Sequence, residues 1–189
     1  MRNSWIQRFI PLLWLVALMW VVFLVDSAAS LQLSRFGILP RNSEGLLGIV
    51  TWSFLHGNLS HIANNSVSLL IFGGIVAARS RDTFIKLTAY VIPISGVCVW
   101  VFGRPAVHIG ASGLVFGYFG YLVTRGFYDR QFLSVTISIV VILVWGSLVW
   151  GVLPSDGPVS WEGHLAGLLA GAAFARVSKK PRGKRRRAY

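Results

Sequence analysis

The feature that most constrains this chain is a series of six stretches, each near the length of a membrane-spanning helix, that are almost free of charged residues. A helix needs about 20 mostly apolar residues to cross a bilayer. The stretches lack the alternation of barrel strands. They therefore predict an all-α membrane protein, a six-transmembrane-helix bundle. They cover residues 9–25, part of 45–78 starting near His56, 87–102, about 108–123, 132–153 and about 160–177.

The composition excludes the other broad classes of protein. Hydrophobic residues make up 54% of the chain and charged residues 13%, whereas soluble domains carry about 25% charged residues. Disorder is excluded because the chain has too much apolar material. The single cysteine, Cys98, rules out an intramolecular disulfide and a cysteine metal site. One alternative remains for the first stretch, a signal peptide cleaved near residues 27–30, although its apolar core is longer than usual.

The positive charge is concentrated at the end of the chain. The net charge is +12, and eight of the eighteen basic residues lie between Arg176 and Arg187. A polybasic stretch after an apolar segment indicates an anchor at an anionic lipid surface, and no nucleic-acid partner is expected. We divide the chain into a cytoplasmic N-terminus (1–8), a six-helix membrane domain (9–177) and a basic cytoplasmic tail (178–189).

The distribution of basic residues also predicts the orientation. With both termini in the cytoplasm, fifteen basic residues lie inside, and only Arg35, Arg41 and Arg104 lie outside. Positive charge is favoured on the cytoplasmic side. The short tails favour a prokaryotic origin, so we expect a multi-pass protein of a prokaryotic plasma membrane with both termini cytoplasmic.

Polar residues cluster at the start of the second, fourth and sixth stretches, in residues 56–65, 110–113 and 162–167. In the predicted orientation these three stretches run in the same direction, so the clusters lie at a similar depth near the outer surface. Polar groups inside a membrane are costly and mark functional sites. The sequence therefore predicts one site built from all three clusters.

The residue types in these clusters fit nucleophilic catalysis. Glycines spaced four apart on the fourth and sixth stretches allow close helix contact, which would bring Ser112 near the imidazole of His164. A serine hydroxyl needs such a base. His61 and Asn65 share one helical face and offer donors for an oxyanion. Each signal alone is weak, because a serine in a membrane helix usually bonds to its own backbone and a histidine can bond across helices.

Three motifs together resemble the rhomboid family of intramembrane serine proteases over nearly the whole chain. They occur in the family's order: His56-x₄-His61-x₃-Asn65, Gly110-Ala-Ser112-Gly113 and Gly163-His164-x₂-Gly167-x₃-Gly171. The resemblance implies a rhomboid-like fold and peptide hydrolysis of single-span or other membrane-protein substrates in the lipid bilayer. It implies no cofactor and no metal. The alternatives are a rhomboid-like pseudoprotease that binds membrane helices without cutting them and, more remotely, a small transporter or channel subunit.

The resemblance also assigns roles to individual positions. It makes Ser112 the nucleophile and His164 the general base, without a third acidic member. Phe116 stands where the best-known members have a tyrosine that stacks on the base. The oxyanion would be held by the side chains of His61 and Asn65 and the backbone N–H of Ser112. The supporting residues would be His56, Gly110, Gly113, Phe116 and Gly167.

Overall fold

The computed structural model describes residues 5–157 and 159–178. The regular elements in this part of the chain are all helices, joined by loops. Residues 1–4 and most of the predicted basic tail, 179–189, lie outside the described residues. The α-helices are α1 (Ile6–Ala29), the single-turn α2 (Gly48–Thr51), α3 (Leu59–Arg79), α4 (Arg81–Phe102), α5 (Ser112–Asp129), α6 (Phe132–Trp145) and α7 (Trp161–Val177). A 3-10 helix, Gly146–Val152, continues α6 and is called the 3-10 segment below.

Six of these helices correspond to the six predicted stretches, with different ends. Helix α4 begins at Arg81 rather than near residue 87, because the Ser80 side chain caps it by accepting the Thr83 N–H. Helix α5 begins at Ser112 rather than near residue 108, because Gly110 has a φ of +111° and interrupts the helical backbone. The fifth stretch is α-helical only as far as Trp145. Sequence patterns do not show such caps and breaks reliably.

Four of the six long helices are long and apolar enough to cross a membrane. They are α1, α3, α4 and α6 together with its 3-10 segment. Helices α5 and α7 have 18 and 17 residues and are rich in glycine. Helix α5 packs against α3, α4, α6 and α7 and so forms the centre of the bundle, whereas α1 packs on its edge against α3 and α4. The central helix α5 is thus one of the two long helices that do not meet these criteria of length and composition.

Helices α5 and α7 approach each other through glycines. A Cβ atom at Gly167 would collide with the Gly113 carbonyl, and one at Gly171 would collide with the Gly117 carbonyl. Gly113 itself faces the Trp52 ring. The absence of side chains lets the two backbones touch, as small residues do at membrane helix interfaces. The contact confirms the glycine-based prediction and places the start of α5 beside the start of α7.

At the opposite end of the bundle, a polar network joins α3, α5 and α6. Arg125 forms an ion pair with Asp129 at 2.6 Å, and Ser134 donates to the same Asp129 oxygen at 3.2 Å. Arg79 donates to Ser134 Oγ at 2.8 Å. Ser138 of α6 accepts the Gly126 N–H at 3.0 Å. These bonds fix the first half of α6 to the rest of the bundle.

Candidate active site

A cavity of about 640 Å³ opens at the end of the bundle where α3, α5 and α7 begin. The predicted residues that line it are His61, Asn65, Ser112 and His164. They come from the three polar clusters of the sequence, as expected if these clusters lie at a similar depth. Asn58, Asn64 and Ser160 also line it and add polar surface. The structure therefore brings the four predicted chemical groups together around one space.

The loop before Ser112 packs against the side chains of His61 and Asn65 on α3. A Cβ atom at Gly110 would lie only 2.5 Å from His61 Nε2 and 3.4 Å from Asn65 Nδ2. Gly110 is thus required both for its positive φ and for the space it leaves. Its N–H donates to the Trp52 carbonyl at 2.8 Å, which fixes the loop. Ser112 follows as the first residue of α5, with its backbone N–H among the unpaired donors of the helix start.

His56 lies in the loop before α3 and supports the loop that carries Ser112. It is buried, and its Nε2 accepts the Ala111 N–H at 3.3 Å. Its ring lies 5.0 Å from the His61 ring, edge to face. Burial, together with the neighbouring His61, lowers the pKa of His56 from 6.5 to about 4. A neutral His56 keeps the lone pair that accepts the Ala111 N–H.

We expect the stability of the wild type to fall between pH 7 and pH 4 partly through His56. Its folded-state pKa lies below the unfolded value, so the unfolded chain binds more protons in this range and acid favours unfolding. The His56 contribution is about 3 kcal/mol, since one pKa unit is about 1.4 kcal/mol. His56→Gln cannot titrate and should lose this component. Equilibrium unfolding in mixed detergent micelles measures the difference, and equal pH dependence in both proteins would contradict the role of His56.

Asn65 and His61 occupy successive turns of α3, facing the cavity. Asn65 is buried, and its Nδ2 has no hydrogen-bond partner anywhere in residues 5–157 and 159–178. An unpaired buried donor is costly and calls for a ligand or water in the cavity. Asn58 caps α3 by accepting the His61 backbone N–H at 2.8 Å, which sets where the helix starts. The unpaired amide is the clearest sign of a binding position at this site.

His164 is held by two contacts. Its Nδ1 lies 2.9 Å from the Gly151 carbonyl of the 3-10 segment. Its ring stacks on Phe116, with centroids 4.2 Å apart and planes 10° from parallel. Phe116 therefore stacks on the candidate base. The Gly151 contact was not predicted, because every residue has a backbone carbonyl and the sequence does not show which one accepts a hydrogen bond.

No direct hydrogen bond joins Ser112 and His164 in the described part of the chain, although both line the cavity. The structure therefore places both side chains at one cavity without the predicted hydrogen bond between them. Catalytic hydrogen bonds are often long in proteins without substrate and shorten when substrate binds.

Arg104 organises the loops beside the cavity, a role that sequence reasoning missed. Its guanidinium donates to the carbonyls of Ser155, Gly157 and Val159 at 2.6 to 3.0 Å. Its Nε lies 3.5 Å from Glu162 Oε1. Glu162 Oε1 is therefore engaged with Arg104.

His108 fastens the same loop to two other parts of the chain. Its Nδ1 lies 2.6 Å from Ser160 Oγ, just before α7. Its backbone pairs with Ile38 through two hydrogen bonds of 2.9 and 3.0 Å. His108 also lines the cavity, and these hydrogen bonds hold it there. No group of three His, Cys, Asp or Glu residues able to hold a metal ion occurs within the described ranges.

The apolar helices and the polar cavity at one end of the bundle define an all-α membrane protein. The family model of the rhomboid domain matches residues 43–180. An uncharacterized protein of Mycobacterium tuberculosis is 33% identical over 98% of this chain and 81% of its own length. A counterpart in Mycobacterium leprae is 32% identical over 98% of the chain and 77% of its own length.

More distant relatives carry the family name. Rhomboid-like protein 11, chloroplastic, of Arabidopsis thaliana is 30% identical over 66% of this chain and 46% of its own length. RHOMBOID-like protein 4 of the same plant is 30% identical over 65% of the chain and 32% of its own length. The chain belongs to the rhomboid family, and it is an integral membrane protein.

Proposed function

We propose that this protein is an intramembrane serine endopeptidase that cleaves membrane-anchored substrates within or near their transmembrane segments. The observation that supports this most is the single cavity lined by Ser112, His164, His61 and Asn65. Membership of the rhomboid family supports the same reaction class. Neither a cofactor nor a metal takes part in the proposed reaction.

In the proposed first step, Ser112 Oγ attacks the scissile carbonyl carbon while its proton moves to His164 Nε2. The new C–O bond forms as the carbonyl π electrons move to the oxygen. The Gly151 carbonyl can only accept a hydrogen bond, so His164 must carry its proton on Nδ1 and keep the Nε2 lone pair free. That is the tautomer a general base needs at this point.

The developing oxyanion is stabilised by hydrogen-bond donors that already line the cavity. They are the unpaired Asn65 amide, His61 and the N–H at the start of α5. Preorganised donors are effective because they need not reorient as the charge forms. The Asn65 Nδ2 is then no longer unpaired, which accounts for a buried donor without a partner in the free protein.

Collapse of the intermediate breaks the C–N bond, and the proton on His164 Nε2 passes to the leaving amine. Water then attacks the acyl carbon and gives a proton to His164 Nε2. The ester C–O bond to Ser112 breaks, His164 returns the proton to Ser112 Oγ, and the acid product is released. A peptide bond inside a helix is shielded by its own hydrogen bonds, so the substrate segment must unwind locally. Small or helix-breaking residues near the cut are therefore favoured.

We further propose that all six long helices span the membrane, with both termini cytoplasmic and the cavity near the outer surface. The excess of basic residues on the predicted inner side supports this orientation. The polar network of Arg79, Arg125 and Asp129 then lies at the cytoplasmic end. The mycobacterial relatives support a bacterial plasma membrane.

The experiment that tests the function uses the full chain in liposomes with a single-span reporter substrate. Cleavage is followed on gels, and mass spectrometry locates the cut. A cut within or beside the apolar segment by the wild type, but not by Ser112→Ala, supports the proposal. Absence of any cleavage, together with no fluorophosphonate labelling of Ser112, would instead favour a non-catalytic pseudoprotease that binds membrane helices.

The oxyanion assignment gives a prediction with a matched control. Asn65→Ala should lower kcat about 100-fold or more, the usual cost of losing one oxyanion donor. Asn64→Ala removes the same amide from the neighbouring, exposed residue that also lines the cavity, and should change kcat less than twofold. Steady-state cleavage of the reporter measures both. Equal losses in the two variants would show that general polarity of the cavity, rather than the Asn65 donor, is what matters.

A further inference from the structure

The contact between His164 and the 3-10 segment has a consequence for the proposed chemistry. A histidine that acts as a base must hold one tautomer and one orientation, and the partner of its other nitrogen sets both. His164 Nδ1 has the Gly151 carbonyl as its hydrogen-bond partner, at 2.9 Å. The acidic Glu162 is engaged with Arg104 instead. The orienting group is therefore a backbone carbonyl.

We propose that the Gly151 carbonyl is the positioning group that holds His164 as a base with its Nε2 facing Ser112. This inference rests on the proposed function, because it assigns the group that completes the dyad. The stacked Phe116 fixes the plane of the imidazole but cannot choose its tautomer, since a phenyl ring has no hydrogen-bonding atom. The Gly151 carbonyl selects the tautomer of His164, which the stacked ring cannot do.

The identity of residue 151 fits this role. A Cβ atom there would lie 3.0 Å from Phe116 Cζ and 3.5 Å from His164 Nδ1. Only a residue without a side chain brings its backbone to the stacked pair without pushing on the Phe116 ring. The first glycine of the segment, Gly146, has no such constraint, because the nearest atom to its Cβ would be 3.9 Å away. The close approach is specific to residue 151.

The 3-10 segment carries no buried residue, and Trp150 beside Gly151 is 71% exposed. The first half of α6, by contrast, is fixed by the hydrogen bonds of Ser134 and Ser138. The positioning group thus stands on the less firmly packed end of this helix.

Two backbone esters test the proposal without changing a side chain. In the first, the α-hydroxy analogue of valine replaces Val152, which turns the Gly151 carbonyl into a weaker ester acceptor. In the matched control, glycolic acid replaces Gly151, which weakens the Trp150 carbonyl, the acceptor of the Leu153 N–H. Each ester removes one N–H from the same segment. Only the first alters the acceptor of His164.

The first measurement is the rate at which a fluorophosphonate probe labels Ser112. We expect the ester at Val152 to slow labelling about fivefold, the effect of weakening one hydrogen bond. The control ester should stay within about twofold of the wild type. Equal slowing by the two esters, or no slowing by either, would overturn the proposal.

The second measurement is independent of activity. Nitrogen NMR of histidine-labelled protein reports the tautomer of each neutral ring, and the His164 signal is identified by its loss in His164→Gln. The ester at Val152 should reduce the fraction with the proton on Nδ1, and an unchanged fraction would overturn the proposal. If the wild type is inert towards probe and substrate, the proposed function fails, yet this signal still shows whether Gly151 sets the tautomer.

A simpler pair of variants gives a third comparison. The Cβ of Gly151→Ala would lie 3.0 Å from Phe116 Cζ, so the ring or the segment must give by a few tenths of an ångström. Gly146→Ala adds the same methyl group to the same segment at an ordinary van der Waals distance of 3.9 Å from its nearest neighbour. We expect Gly151→Ala to lower kcat about tenfold with little change in KM, in line with the loss of one positioning hydrogen bond. Gly146→Ala should behave like the wild type. A similar kcat for both variants would contradict a positioning role for residue 151.

Discussion

Ser112→Ala and His164→Ala are each expected to reduce cleavage of a membrane-anchored reporter by about 10⁴-fold or more, the scale seen when one member of a serine–histidine pair is removed. Alanine at 112 leaves no nucleophile. Alanine at 164 leaves Ser112 with its proton, and a neutral hydroxyl is a poor nucleophile. The double variant should be little worse than either single one, because the two residues act as one unit.

These variants need a test of folding, and the position of Ser112 predicts its result. Ser112 stands at the rim of the cavity, so removing its hydroxyl leaves the packing of α5 on α7 intact. Its thermal unfolding midpoint in detergent should match that of the wild type within about 2 °C, as expected for a change that removes no core contact. Residual cleavage above about one-hundredth of the wild-type rate in folded Ser112→Ala would rule out this nucleophile.

The second large effect is expected at Gly167, where one methyl group should reduce both stability and activity. A Cβ atom there would meet the Gly113 carbonyl, and backbone cannot move aside as a flexible side chain can. Helix α7 must then shift away from α5, which moves His164 relative to Ser112. We expect Gly167→Ala to lose about 3 kcal/mol of stability or more and about 100-fold or more in cleavage rate, the cost of a small misplacement.

Gly74→Ala is the matched control, because its Cβ meets nothing within 4 Å. Gly74 lies inside α3, so alanine should leave stability unchanged or raise it by up to about 1 kcal/mol through helix propensity. Thermal unfolding in detergent and reporter cleavage measure both variants. Wild-type stability and activity in Gly167→Ala would show that α5 and α7 tolerate a wider separation, which would contradict the glycine contact.

The sequence could group the four candidate residues that line the cavity because they occur in short motifs with helical spacing. His61 and Asn65 are four residues apart, which places them on one face of any helix that contains them. The glycines of α5 and α7 predicted the contact that the structure shows. Helix ends were predicted less well, since the capping by Ser80 and the positive φ of Gly110 override the limits of apolar stretches.

The contacts that sequence could not predict are those made through backbone atoms or between distant loops. The Gly151 carbonyl on His164 is one example, and the bonds of Arg104 to three loop carbonyls are another. Neither follows a residue pattern, because any residue type offers the same carbonyl. The pairing of Ile38 with His108 joins segments 70 residues apart and depends on how the loops fold over the cavity.

The sequence by itself determined the class of protein, the family and the identity of the four candidate groups. Apolar length and charge bias fix which segments enter a membrane, because burying charge there is so costly. The tertiary structure decided the surroundings of those groups: the stacked Phe116, the carbonyl that holds His164, and the unpaired Asn65 amide facing the cavity. These depend on distances between helices, and side-chain packing and backbone geometry set such distances in three dimensions.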